Sequence, residues 1–280
     1  IVGSAAGVVA CVMHALIPWF KLEPLSFELF GVALPKLQPF GLLAALALLV
    51  STHFVGKRAA QLAISSELMS RFLTRVTSVG VVSAYVLNIV LYFPQELALI
   101  AAEPTRLLTH WYGLSSYGGF IGGACAAWQF AHRRRTSLLA LGDAWCFGFP
   151  FGWILARLGC FSVHDHPGIA SDFFLAVANY NGSGIARHDL GLYEALWSVP
   201  VALWFWRCSQ EPRARGFYLS MLLCLYGPAR FLLDFLRADA ISGGDIRYAG
   251  LTPAQMLSLL VTAIGVTLYL RLTRVELLRQ

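Results

Sequence analysis

Apolar residues in this chain come in long blocks rather than at strand or amphipathic spacing. Seven blocks, 38–56, 77–95, 115–131, 141–160, 191–206, 217–236 and 253–270, approach the roughly 17–25 residues that cross a bilayer core. Lipid cannot satisfy a strand's open edge, so each block is predicted to be a helix. Residues 1–20 form an eighth apolar stretch that reads equally as a further span, an interfacial helix or the remnant of a signal. The chain begins without Met, which leaves its true start open. No repeat, low-complexity segment or linker divides it. The expectation is an all-α integral membrane protein, one polytopic domain over 1–280, with 161–190 as an outward-facing loop region forming a small cap.

Composition agrees with this picture. The chain is 58% hydrophobic and only 13% charged, against about 25% charged residues in a soluble domain. A net charge of +6 could point to nucleic acid, but the distribution of the cations points elsewhere. Lys57, Arg58, Arg71 and Arg75 flank one loop; Arg133, Arg134 and Arg135 follow the third block; Arg207, Arg213 and Arg215 follow the fifth; Arg271, Arg274 and Arg279 follow the seventh. All fall on one side of a seven-span arrangement. The positive-inside rule then predicts the N-terminus outside, the C-terminus in the cytoplasm, and 96–114, 161–190 and 237–252 facing outward. The basic excess is topological, and no nucleic acid partner is expected. The six cysteines show neither C-x-x-C pairs nor metal-ligand spacing.

Ionisable residues inside apolar blocks are costly and usually face a cavity or a partner. In "YGPARFLLDFLR", Tyr226, Arg230, Asp234 and Arg237 recur at helical spacing and share one face. Two readings stand: an Arg230–Asp234 pair that neutralises itself, or a cation held for an anionic substrate, for which a planar guanidinium suits phosphate. "ARLGCFSVHDHPG" places Arg157 at the end of a span and follows it with His164, Asp165 and His166. Arg157 either snorkels to the interface or belongs to a site. The two histidines are poorly spaced to share one metal ion, and no metal or cofactor is expected; an aspartate beside them could instead tune a proton acceptor. "GLSSYGGFIGG" sets Gly118 and Gly119 after Tyr117, either for close helix packing or to expose backbone N–H groups to a head group. Glu194, inside the fifth block, has no interfacial excuse. Several arginines at the outer half of the membrane suit a phospholipid head group.

These segments together resemble the prolipoprotein diacylglyceryl transferases over roughly 25–275. "GLSSYGGFIGG" resembles the family's glycine-rich motif, and "ARLGCFSVHDHPG" its G-R-x-G-N-F signature continuing to an acid and a glycine. "RHDLGLYEAL" is similar to its L-Y-E-A segment, "LYGPARFLLDFLRADA" to its Y-G-x-x-R-x-x-x-E-x-x-R helix, and "LTPAQMLSLL" to the run that follows. The resemblance implies transfer of a diacylglyceryl group from phosphatidylglycerol to the lipobox cysteine thiol of a preprolipoprotein signal peptide. It places the enzyme in the bacterial inner membrane with its site toward the periplasm. By motif position Arg157 and Arg230 would bind the phosphate and stabilise its departure. Asp165 and Gly168 would complete the signature, and Tyr226 and Asp234 would support Arg230. Gly118, Gly119, Glu194 and Arg237 would add to the lipid site.

The chain also departs from the family pattern. Tyr117 replaces a histidine that would handle the thiol proton, Cys160 replaces the signature asparagine, Ala156 its leading glycine, Phe40 a tyrosine, and Asp234 a glutamate. His164 or His166 is expected to take over the proton, since tyrosine with an ordinary pKa of about 10 is a poor base at neutral pH. The alternatives are a divergent relative doing other phospholipid head-group transfer, or a non-catalytic lipid-binding membrane protein.

Overall fold

The computed structural model describes residues 15–26, 28–29, 32–33, 38–110, 112–238 and 247–277. Each expected apolar block coincides with a helix: α1 (Pro39–Gln61), α2 (Ser66–Tyr92), α5 (Ser116–Arg134), α6 (Leu138–Val163), α7 (Leu190–Cys208), α8 (Phe217–Leu233) and α9 (Pro253–Leu277). Two short helices, α3 (Glu96–Ala102) and α4 (Arg106–Thr109), lie between α2 and α5. Among the described residues five helices, α1, α2, α6, α8 and α9, are long and apolar enough to cross a membrane. The protein is therefore a multi-pass membrane protein. The helices α5 and α7 have 19 residues each, about 29 Å at 1.5 Å per residue.

Helix α2 begins eleven residues before its apolar block. Ser65 starts it, its hydroxyl accepting a hydrogen bond from Leu68 N–H at 3.3 Å, and the polar turns carrying Glu67, Arg71 and Arg75 belong to the same helix. A hydropathy window misses such turns because helix formation needs caps and internal hydrogen bonds, not continuous apolarity.

By their contacts, residues 55–145 form one compact unit and residues 1–54 with 146–280 another. In the first, Val55, Met69, Phe72, Phe130 and Leu141 build a buried core. The Arg58 guanidinium meets the Asp143 carboxylate at 2.7 Å, both buried. Here α5 lies directly on α2: a Cβ at Gly118 would overlap the backbone of Ser83 and Ala84.

In the second unit, the segment between α6 and α7 contains strands that an all-α expectation lacks. β1 (Ile17–Pro18), β4 (Pro167–Ala170), β5 (Val177–Ala178) and β6 (Arg187–Asp189) form a sheet in the order β1-β5-β6-β4. β1 runs parallel to β5, and the other neighbours are antiparallel. A separate hairpin pairs β2 (Glu28–Leu29) with β3 (Val32–Ala33). The strands have two to four residues, too short for periodicity to register. They turn on "NYNGSG", where Asn179, Asn181, Gly182 and Gly184 take positive φ, as Asn and Gly do most readily. Of the eighth apolar stretch, residues 1–14 lie outside the described residues, and Ile17–Pro18 is a strand rather than part of a helix.

Candidate active site

Helix α6 ends where His164 adopts φ +51, a left-handed conformation that terminates helices. The chain then enters β4, and β6 feeds directly into α7, whose N-cap Asp189 accepts from Leu192 N–H at 3.2 Å. This loop brings the last turns of α6 beside the first turns of α7.

Arg157, Glu194 and Arg230 meet there. Arg157 Nη2 lies 2.9 Å from Glu194 Oε2, and Arg230 Nη1 lies 3.2 Å from Glu194 Oε1. The Glu194 side chain is 2% exposed, and those of Arg157 and Arg230 are 10% and 11% exposed. The Tyr226 hydroxyl donates to Glu194 Oε2 at 3.1 Å. Trp153 lies under the Arg157 guanidinium, 4.5 Å from the ring centre, which adds a cation–π contact. Two donors in this cluster, Arg157 Nε and Arg230 Nη1, make no hydrogen bond of good geometry among the described residues.

Arg230 is also held from behind. Its Nη2 meets Asp234 Oδ1 at 2.9 Å, and Arg237 Nη1 approaches the same oxygen at 4.0 Å. Asp234 is fully buried, and its other oxygen accepts from the Thr252 hydroxyl. Thr252 starts α9 in a reciprocal cap: Gln255 N–H donates to Thr252 Oγ1 at 3.1 Å, and Thr252 N–H donates to Gln255 Oε1 at 2.9 Å. This is the T-x-x-Q form of the capping box. Gln255 Nε2 also donates to the Phe231 carbonyl at 3.2 Å. The start of α9 thus fixes the end of α8, and through Asp234 it fixes Arg230.

On its other side, Arg157 Nη1 lies 3.1 Å from His166 Nε2 and 3.7 Å from Cys160 Sγ. A guanidinium can only donate, so His166 Nε2 is the acceptor and the ring proton sits on Nδ1, against the Asp165 carboxylate. Asp165, His166 and Arg157 form one chain of hydrogen bonds. Cys160, Asp165 and His166 each place a ligand atom within 4.8 Å of the others. The Arg157 guanidinium lies against Cys160 Sγ and His166 Nε2, a cation of the protein's own beside this group.

The chain matches the family model for prolipoprotein diacylglyceryl transferase over residues 27–271. The chain belongs to the prolipoprotein diacylglyceryl transferase family. Membership assigns the chemistry: the chain is an enzyme of diacylglyceryl transfer in lipoprotein biosynthesis. It is 35% identical over 172 residues to the phosphatidylglycerol–prolipoprotein diacylglyceryl transferase of Chromohalobacter salexigens, a match spanning 60% of this chain and 64% of that protein. The protein of the same name from Methylobacillus flagellatus is 34% identical over 68% of this chain and 73% of its own length. That from Campylobacter hominis is 26% identical over 90% of this chain and 91% of its own.

In this diacylglyceryl transferase family member, the two expected histidines part company. His166 joins the arginine cluster. His164 does not: its Nδ1 meets Asp189 at 2.7 Å, and Trp19 stacks on its ring at 4.4 Å. Phe20, Phe161 and Tyr180 surround it further, and its buried Nε2 makes no hydrogen bond among the described residues. Nearby, burial lowers the pKa of His188 and raises that of the Tyr180 phenol. Gly168 serves packing rather than an open lipid surface. An added Cβ would lie 2.6 Å from His188 Cβ and 2.7 Å from the Leu236 carbonyl, and Gly168 bridges to Arg237 as an isolated antiparallel pair. Gly118 likewise presses on α2, whereas a Cβ added at Gly119 would meet its nearest neighbour, Ala84 Cβ, at an ordinary contact of 3.8 Å. The Tyr117 side chain lies outside the described residues. Glu194 is the centre of the cluster rather than one lipid contact among several, and Thr252 and Gln255, which are not ionisable, join it through Asp234 and the end of α8. The signal for the latter pair was present in "LTPAQ", a capping-box pattern with Pro at the first helical position.

Proposed function

We propose that the Arg157–Glu194–Arg230 cluster is the phosphate-handling centre of a phosphatidylglycerol-dependent transferase that acts on the lipobox cysteine of a preprolipoprotein. The observation that carries this reading is the meeting of two buried arginines across one carboxylate, each with a donor lacking an aligned partner among the described residues. Phosphate oxygens accept from guanidinium groups in bidentate fashion. In the reaction the lipobox thiol loses its proton and its sulfur bonds to the terminal glycerol carbon of the diacylglyceryl group. The carbon–oxygen bond to phosphate breaks, and glycerol phosphate leaves with the electron pair. Arg157 and Arg230 stabilise the charge that grows on the phosphate oxygens, as donors fixed in advance around a developing charge do most effectively. Glu194 and Tyr226 hold the two cations side by side; Asp234 anchors Arg230 and draws Arg237 into the same network.

The proton goes to His166. Phosphate binding draws Arg157 away from Nε2, which frees that lone pair with Asp165 behind the opposite nitrogen. Substrate binding and base release are then one event. His164, enclosed and committed to Asp189, keeps a structural role.

The enzyme lies in the inner membrane as one polytopic domain with seven spans, its N-terminus outside and its C-terminus in the cytoplasm. The segment 161–190 and the site face the periplasm. The clustering of basic residues at the opposite helix ends supports this orientation.

Purified protein, phosphatidylglycerol and a lipobox peptide should yield lipidated peptide and free glycerol phosphate. Release of glycerol phosphate without peptide modification would instead mean other head-group chemistry. Lipid binding with no release would mean a non-catalytic protein. Within the mechanism, His166→Ala should lower turnover by roughly 10²-fold or more while lipid stays bound. Turnover unchanged in that variant would remove His166 as the base.

A further inference from the structure

The arginines Arg71 and Arg75 of α2 and Arg133 and Arg134 of α5 line a single groove of about 580 Å³. It belongs wholly to the unit 55–145 and shares no residue with the arginine cluster of α6, α7 and α8. Among the described residues these four cations make one ion pair, Arg71 with Glu67 at 2.6 Å. Arg75 donates to neutral Gln129, and Arg133 and Arg134 make no ion pair among the described residues.

Helix electrostatics explains only half of this. Arg133 and Arg134 close α5, where a helix C-terminus favours cations; Arg71 and Arg75 stand near the beginning of α2, where it does not. The groove wall adds Ser70, Thr74 and Ser78, spaced four apart and so aligned in one row of hydroxyls. Phe130, buried, contributes an apolar surface. From Arg75 the same stripe of α2 continues through Val79, Val82 and Val86, which are exposed at 36%, 62% and 48%. Cations and hydroxyls at one end, leading into an open apolar track, match the two halves of a phospholipid.

We propose that this groove binds the phosphate of an anionic glycerophospholipid, its acyl chains lying along the valine track of α2. Under the orientation proposed above, that lipid belongs to the cytoplasmic leaflet, opposite the reacting lipid. Basic pockets between spans on that side have the chemistry for such head groups. A free phosphate would satisfy the arginines but has no use for the valines.

The test uses the full chain in phosphatidylcholine vesicles doped with a photoreactive phosphatidylglycerol, with adducts mapped by mass spectrometry. Adducts are expected on 70–86 of α2, alongside separate adducts near Arg157 and Arg230. Each arginine near an anionic surface contributes roughly fivefold in binding, so Arg133→Gln with Arg134→Gln should reduce the groove adducts by about tenfold or more. Adducts near Arg157 and Arg230 should not change, which also reports that the variant is folded. Arg71→Gln with Arg75→Gln is the second variant and should behave alike. Groove adducts unchanged in both variants, or equally frequent with a photoreactive phosphatidylcholine, would overturn the proposal. Suppression by millimolar inorganic phosphate would assign the groove to free phosphate and overturn the lipid.

Discussion

Glu194 holds two guanidinium groups with one carboxylate, in a place where water reaches none of the three freely. A buried pair is weak evidence of stability in itself, but breaking one is costly because the surviving charge stays buried. Glu194→Ala should therefore destabilise the protein by about 3–5 kcal/mol, read from unfolding in detergent. Glu194→Gln, which can still accept hydrogen bonds, should cost less, and both variants should lose lipid transfer. A second residue-scale effect concerns pH. Burial depresses the pKa of His188 below its unfolded value of about 6.5. The unfolded chain then takes up a proton more readily than the folded one as pH falls, so this contribution is full above about pH 6.5 and lost below it. The loop sheet should loosen on acidification, visible as faster amide exchange in 164–189. His188→Phe should flatten that dependence.

At the scale of elements, two contacts decide how helices meet. Gly118 lets α5 touch the backbone of α2, and a Cβ there has no room. Gly118→Ala should cost about 1–3 kcal/mol by overpacking, while Gly119→Ala, whose added Cβ would sit in ordinary contact 3.8 Å from Ala84, should be nearly neutral in the same thermal unfolding measurement. The capping box of α9 joins two elements at once. Thr252→Ala removes the cap, at about 1 kcal/mol, and also the hydroxyl that holds Asp234. Transfer activity should fall more than stability alone explains, because Arg230 loses the group that positions it. Comparing turnover with unfolding temperature in Thr252→Ala and Thr252→Ser separates the two effects, and serine should restore both.

For the whole molecule, orientation in the membrane decides which leaflet supplies the reacting lipid. A cysteine placed at exposed Asp172 should react with a membrane-impermeant thiol reagent in intact cells stripped of their outer envelope. One placed at exposed Glu211 should react only after lysis. The reverse pattern would invert the topology and move the arginine cluster to the cytoplasmic side. Much of the architecture was legible beforehand. Helices α1, α2, α5, α6, α7, α8 and α9 each coincide with an apolar block, because a bilayer leaves a long apolar run no other structure. The resemblance of five ordered motifs to one family was legible too, and the family match over 27–271 agrees with it.

The strands between α6 and α7 were not legible, since elements of two to four residues carry no period and depend on partners distant in the chain, as β1 does on β5. Nor could sequence separate His164 from His166. They stand two positions apart beside the same aspartate, yet one turns to Asp189 and a wall of aromatic rings and the other to Arg157. The sequence by itself determined the class of molecule, its helices and the residue types its chemistry requires, because these follow from local composition and from motif order. Which cation meets which carboxylate, and which histidine faces the arginines, was decided only by the packing of α6, α7, α8 and α9, because a side chain's partner depends on where distant segments bring their charges.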